Sequence, residues 1–380
     1  MIGLIVLRPT GDAPSAPGVI PGTTFVGGRV IALEPDVCPE EYPTSASCST
    51  AQVRVTSGPD EGDIVELPNV AGLPSTPELR AGDRIRMAYF AKGAVGHRYT
   101  FDDFQRGRPM LVLTVGFAVA VILLGRLQGV RALLGMVVSL VIVIAYLLPA
   151  LLRGGPPVTL ALVTALAIAV AVLYLAHGVH VGTHVAFAGS AIALGLATGL
   201  GALFIGACHL TGYTDDTVAS LTVAAGSLDV RGLILAGLVI GALGVLDDMT
   251  VTQVSAVAEV QAANPSASAF ALYRAGMRVG KDHVASTVNT LFLAYAGASL
   301  PLLLLFAQGG RSITGVLTSE VVAVELVRAL IGSIGLVAAV PITTGLAAWV
   351  IHQGNDETDD PDGPDEAQGW DDLAPIPTAF

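Results

Sequence analysis

The chain has 380 residues, of which 53% are hydrophobic and only 13% charged; soluble domains carry about 25% charged residues, so an ordinary soluble enzyme is excluded. The formal charge of −12 is unevenly placed: residues 1–108 hold 13 acids and 10 bases, residues 109–354 hold nine of each, and residues 355–380 hold nine acids and no base. The sequence therefore divides into a polar amino-terminal region, a neutral apolar body and an acidic tail.

Residues 1–18 contain one short apolar run, Ile2–Leu7, too short for a signal-peptide core. Residues 19–104 read as a small β-rich domain. Strands are predicted at Phe25–Leu33, Ala51–Ser57, Asp63–Leu67, Arg84–Phe90 and Arg98–Phe101, separated by turn signals at Gly58–Asp63 and Ala81–Asp83. Five short strands predict a small barrel or sandwich. It holds no catalytic constellation, so packing or partner binding is its expected role. Cys38 and Cys48 share a polar loop with Pro39 and Pro43, which fits a disulfide on the oxidising side of a membrane. No nearby His or further Cys completes a tetrahedral metal site. Cys208 sits in an apolar run and reads as a small hydrophobe.

A helix needs about 20 apolar residues to cross the hydrocarbon. Within residues 105–352 seven runs qualify, near 109–125, 132–152, 158–176, 185–209, 232–254, 284–307 and 321–351. The predicted fold is an all-α polytopic membrane helix bundle of about seven spans, preceded by the β-rich domain. Gly195 with Gly199, Gly237 with Gly241, and Gly332 with Gly335 are expected close-approach surfaces between helices. Pro149, Pro301 and Pro341 are expected to mark kinks. Arg126, Arg131, Arg274, Arg278 and Lys281 fall in loops of one side, against Arg153, Arg231 and Arg311 on the other, which favours the first side as cytoplasmic and the β-rich domain outside. Counting Arg106 and Arg108 removes the bias, and without an export signal the domain is alternatively cytoplasmic or the start lies within an eighth hydrophobic helix. Ser266 is expected to cap a basic amphipathic helix running to His283. Residues 353–380 are expected to be a disordered acidic tail.

The richest stretch for chemistry is Gly241–Gln253, which places Asp247 and Asp248 in an apolar helix. An Asp at mid-membrane costs roughly 2.5–3.5 kcal/mol on insertion scales. Asp248 and Thr252 are four apart and share a helix face, whereas Asp247 and Thr250, three apart, share another. Such a group can bind a cation, relay protons or pair with an Arg. Solvation at the helix end is the competing reading. Glu325 and Arg328, three apart in the last run, read most simply as a local salt bridge, with pairing of Arg328 to an Asp as the alternative. Asn289 and Thr290, and Thr343 and Thr344 after Pro341, offer neutral oxygen ligands or interhelical hydrogen bonds. His177, His180 and His184 have helical metal-ligand spacing, but glycines interrupt them and no metal or other cofactor is expected. Asp215 and Asp216 read as helix-capping acids. No phosphate-binding loop, zinc-protease helix or nucleophile elbow is present in the sequence, and no basic patch supports nucleic-acid binding.

These motifs resemble the YibE/F-like family of bacterial membrane proteins. The matching residues are Gly125 and Arg126 with Arg131–Gly135, Leu148–Leu152, Leu173–Gly178, Gly241–Gln253, Gly280–Leu291, Ala294–Gly297, Leu300–Leu302, Gly332–Gly335 and Pro341–Thr344. The resemblance covers most of residues 97–350. His180 and His184 fall outside the family pattern. The family typically begins with a further hydrophobic helix, and Ile2–Pro9 is similar to its tail. The resemblance therefore implies a start inside an eighth span and an extracytoplasmic β-rich domain. It implies a multi-pass protein of the bacterial plasma membrane and no particular activity.

Two functions are expected from the residues. In the first, a transporter or permease-like protein binds a cation or proton at Asp247 and Asp248, with Thr250, Thr252, Asn289, Thr290, Glu325 and Arg328 around one cavity. In the second, a non-transporting scaffold or sensor uses the β-rich domain to bind a partner. The lipid bilayer and a small ion or solute are the expected partners, and no enzyme activity is expected.

Overall fold

The computed structural model describes residues 23–36, 48–71, 78–91, 98–214, 218, 222, 228–309 and 312–358. The expected leader remnant at 1–18, Cys38, the acids Asp215 and Asp216, and residues 359–380 of the tail lie outside the described residues. The chain forms two compact units, Gly18–Leu123 and the body from Leu124 onward.

In the first unit, β1 (Thr23–Asp36), β2 (Cys48–Val55), β3 (Ile64–Ala71), β4 (Arg84–Phe90) and β5 (Tyr99–Phe104) form one antiparallel sheet of order β3-β2-β1-β4-β5. The strands fall where alternation predicted them, because Ala51, Val53 and Val55 on β2 and Ile85 and Met87 on β4 all face one core. The sheet curls until its edge strands β3 and β5 touch. Tyr99 Oη donates to Asp60 Oδ2 at 2.5 Å across that gap. The barrel or sandwich expectation thus resolves to a single curled sheet. Gly58 (φ 116°) and Gly82 (φ 99°) supply the left-handed turns. Cys48 is buried and disulfide-bonded.

α1 (Gly107–Ile142) follows, continues through a π-helical turn (Val143–Leu147) and ends in α2 (Leu148–Leu152). Its backbone leaves helical geometry at Arg126 (φ 48°, ψ −125°). The next helices are α3 (Pro157–His177), α4 (Val181–Ala207), α5 (Val230–Ala263) and α6 (Ala269–Ala298). The last three are α7 (Leu300–Gln308), α8 (Ile313–Leu317) and α9 (Glu320–Thr358).

Among the described residues five helical segments are long and apolar enough to cross a membrane: Gly107–Leu152, α3, α4, α5 and Glu320–Gln353. The seven expected runs regroup for physical reasons. Two of them lie within Gly107–Leu152 and are divided where expected, since the backbone turns non-helical at Arg126 and two helices meet at a kink there. The run 284–307 is divided between α6 and α7 at Ser299, just before Pro301. α6 itself carries Arg274, Arg278, Lys281, Asp282 and His283 in its first half. Ser268, not Ser266, caps it, accepting from Ala271 N at 3.3 Å. α9 continues to Thr358, six residues into the expected tail.

α5 is the hub of the body. It packs against α3, α4, α6 and α9, and its most apolar stretch is 56% buried, against 11% in Gly107–Leu152. The core is small and smooth, built on Ala165, Ala193, Leu194, Val239, Leu246 and Leu336. Exposed Leu123, Leu124 and Leu127 form an apolar surface suited to lipid.

Candidate functional site

The polar centre of the body lies where α4, α5 and α9 meet. Asp247 is the eighteenth of the 34 residues of α5, at mid-helix, with its side chain turned inward. Thr250 and Gln253 follow at three-residue steps, so all three lie along one stripe. Thr250 and Gln253 are fully buried.

Opposite them stands Ser190 of α4, 1% exposed. Its hydroxyl is 2.8 Å from Thr250 Oγ1. Thr250 Oγ1 also lies 3.1 Å from the Asp247 carbonyl oxygen, to which it can donate. From α9, Thr344 Oγ1 donates to Gln253 Oε1 at 2.7 Å, and Thr343 is equally buried beside it.

Glycines create the room. A Cβ on Gly189 would lie 2.2 Å from Thr343 Oγ1. One on Gly280 of α6 would lie 2.9 Å from both polar atoms of the Gln253 amide, and one on Gly276 would lie 2.6 Å from Thr344 Cγ2. The backbones of α4 and α6 thus press directly on the polar side chains of α5 and α9.

This centre is under-satisfied. Asp247 Oδ1, Gln253 Nε2 and Thr343 Oγ1 are buried without hydrogen-bond partners. Buried polar atoms are normally paired, and each unpaired one costs roughly 1–3 kcal/mol. Three such atoms, on α5 and α9, thus stay without a partner in a closely packed region. The donor set is one carboxylate, four hydroxyls and an amide, all hard ligands suited to a small cation or a proton. Among the described residues no group of three or more His, Cys, Asp or Glu side chains forms a metal centre.

The other predicted residues lie elsewhere. Asp248 points away from the centre, with its side chain 70% exposed and Oδ2 3.9 Å from His283 Nε2 of α6. Thr252 donates to the Asp248 carbonyl at 2.8 Å. Asn289 and Thr290 are exposed on α6, and Thr290 donates to the Ser286 carbonyl. Glu325 and Arg328 pair with each other at 2.6 Å, as the simplest reading held. A Cβ on Gly237 would lie 3.7 Å from Arg328 Nη2 and one on Gly241 3.6 Å from Tyr295 Oη, ordinary contacts that do not demand glycine. Gly237 is ten residues before Asp247, about 15 Å along the axis, so the ion pair and the Asp247 centre are separate features. Ser190 and Gln253 were not singled out by sequence reasoning. Gln253 had a signal, since it continues the 247–250 spacing.

The histidines are structural. His180 Nδ1 accepts from Thr183 N at 3.3 Å at the start of α4, and His184 Nδ1 shares a 2.5 Å hydrogen bond with Tyr174 Oη.

A neutral helical body with several membrane-length apolar helices, closed around a buried carboxylate, is the architecture of a multi-pass membrane protein. The chain belongs to the YibE/F-like protein family, which it matches over residues 113–353. No curated protein and no solved structure matches it.

Proposed function

We propose that this protein is a permease-like carrier of the bacterial plasma membrane, in which Asp247, Ser190 and Thr250 bind a small cation or proton. The observation that supports this reading most directly is Asp247 Oδ1, buried at mid-helix with no hydrogen-bond partner. A buried carboxylate is tolerated when a counter-charge or proton neutralises it. Arg328, among the cations predicted to share the site, is already occupied by Glu325. A mobile ion supplies the missing charge, and its arrival and departure would bias the packing of α4 and α9 on α5.

In this reading the β-rich domain lies outside the cell and the basic face of α6, with Arg274, Arg278 and Lys281, lies in the cytoplasm, following the basic-residue bias. The test is the full chain in proteoliposomes, with ion or proton flux followed by an internal dye. The expected result is flux in the native protein and none in Asp247→Asn. Equal flux in both, or a cation-independent native protein, would sink the proposal.

A further inference from the structure

The first unit contains a second feature of different chemistry. A cavity of about 450 Å³ opens where β4 and β5 meet the start of α1. Arg84, Arg86, Arg106 and Arg108 line it, with Gln105 and the first residue of α1, Gly107. Its volume falls in the range of small-ligand sites, roughly 300–1,000 Å³.

The four guanidinium groups are not equivalent. Arg86 pairs with Asp102 and lies over the Phe25 ring at 5.1 Å. Arg106 pairs with Asp103 at 2.6 Å. Both are thus held in place. Arg84 and Arg108 have no carboxylate partner among the described residues and crowd one another. The nearby Arg108 charge, then partial burial, then Arg29 pull the Arg84 guanidinium below its ordinary pKa. α1 starts at this point with no acidic residue in its first turn, so its free N–H groups add positive potential rather than relieve it. Packing alone does not require two unpaired arginines facing each other.

We propose that this cavity binds a phosphoryl anion, with Arg84 and Arg108 as the pair that grips it and Arg86 and Arg106 as the fixed walls. Guanidinium forks match phosphate oxygens bidentately, which suits two arginines converging without carboxylates. The cavity is larger than a bare phosphate, so the anion carries a substituent. Two sources share this chemistry. One is the headgroup of an anionic phospholipid, because the cavity sits only three residues before Met110, where the apolar run of α1 begins. The other is a soluble phosphate ester.

The test uses the full chain and two probes, inorganic phosphate in neutral detergent and nanodiscs of phosphatidylglycerol against phosphatidylcholine. The readouts are the melting temperature and the phospholipid retained in native mass spectra. In the native protein, a rise in melting temperature with phosphate assigns a soluble source. Selective retention of phosphatidylglycerol without a phosphate response assigns the headgroup. Either supports the site. Arg84→Gln with Arg108→Gln should weaken the response at least tenfold, about 1.4 kcal/mol. The same variant should melt no lower than the native protein without anion, because it removes a repulsion. Arg108→Gln alone, at an exposed position, is the second variant should the double one fold poorly. If the native protein responds to neither probe, or if the variants respond as it does, the proposal is overturned.

Discussion

The Asp247→Asn substitution isolates the carboxylate charge with almost no change of shape. A charged Asp at the middle of a membrane helix costs roughly 2.5–3.5 kcal/mol on insertion scales. The structure leaves Oδ1 unpartnered. An ion at a hundred times its Kd adds about 2.7 kcal/mol to the folded state. For a body of this size that is roughly 5–10 °C of melting temperature. The assay is a melting series of detergent-purified full chain in Li⁺, Na⁺, K⁺, Mg²⁺ and protons. The native protein should gain that shift with one of these ions. Asp247→Asn should show none, and should equal or exceed the native protein in ion-free buffer. Asp248→Asn should keep the native response, since that side chain is mostly exposed. An Asp247→Asn protein with the full shift would refute the reasoning, as would a native protein indifferent to all five.

Gly189→Ala and Gly280→Ala should each destabilise by about 1–3 kcal/mol, because the new methyl meets Thr343 or Gln253 in a filled core. Gly195→Ala and Gly199→Ala should melt as the native protein does or slightly higher, having nothing within 4 Å. Glu320 accepts from Thr211 N at 2.5 Å, Gly212 N at 2.6 Å and Thr211 Oγ1 at 2.8 Å. Glu320→Gln should therefore speed hydrogen exchange at residues 211–214 while leaving α4 and α5 protected. Burial, and then the hydrogen bond from its hydroxyl to Asp60, push the Tyr99 phenol well above its ordinary pKa. The phenol is thus neutral in the folded domain, and its contribution is complete below about pH 10 and lost as the pH rises further. Tyr99→Phe should cost about 1 kcal/mol at neutral pH and flatten the alkaline limb of a pH–stability curve for the sheet.

The strands were legible because a period of two needs no knowledge of partners: Val53 and Val55, or Ile85 and Met87, select one face wherever the sheet packs. The helices were less so. Spacing correctly joined Asp247 to Thr250 and Asp248 to Thr252, and each Thr lies within hydrogen-bonding distance of the carbonyl of its Asp. Which pair turns inward depends on what α4 and α9 present, and a nearly uniform apolar helix does not encode that direction. Ser190 was unreadable for the same reason, since a lone hydroxyl in an apolar run looks alike facing lipid or a partner, whereas Thr343 and Thr344 after Pro341 were legible as a pair. Gly189 beside Ser190 was the stronger signal, and it differs from the Gly195–Gly199 pair only in what lies opposite. The break at Arg126 was legible, because Arg126 and Arg131 interrupt the apolar runs 109–125 and 132–152.

Net charge concealed the arginine cavity in a similar way. Residues 1–108 sum to −3, which suggests a mildly acidic surface. The sum discards position. Arg84 and Arg86 flank Ile85 on β4, so the same alternation that buries Ile85 and Met87 sends both guanidinium groups to the opposite face. Arg106 and Arg108 repeat the spacing as the chain leaves β5 for α1. The carboxylates at Asp102 and Asp103 neutralise two of these four. A domain can therefore be acidic overall and still present its one concentrated positive site at the start of a membrane-length helix, where an anionic group would meet it.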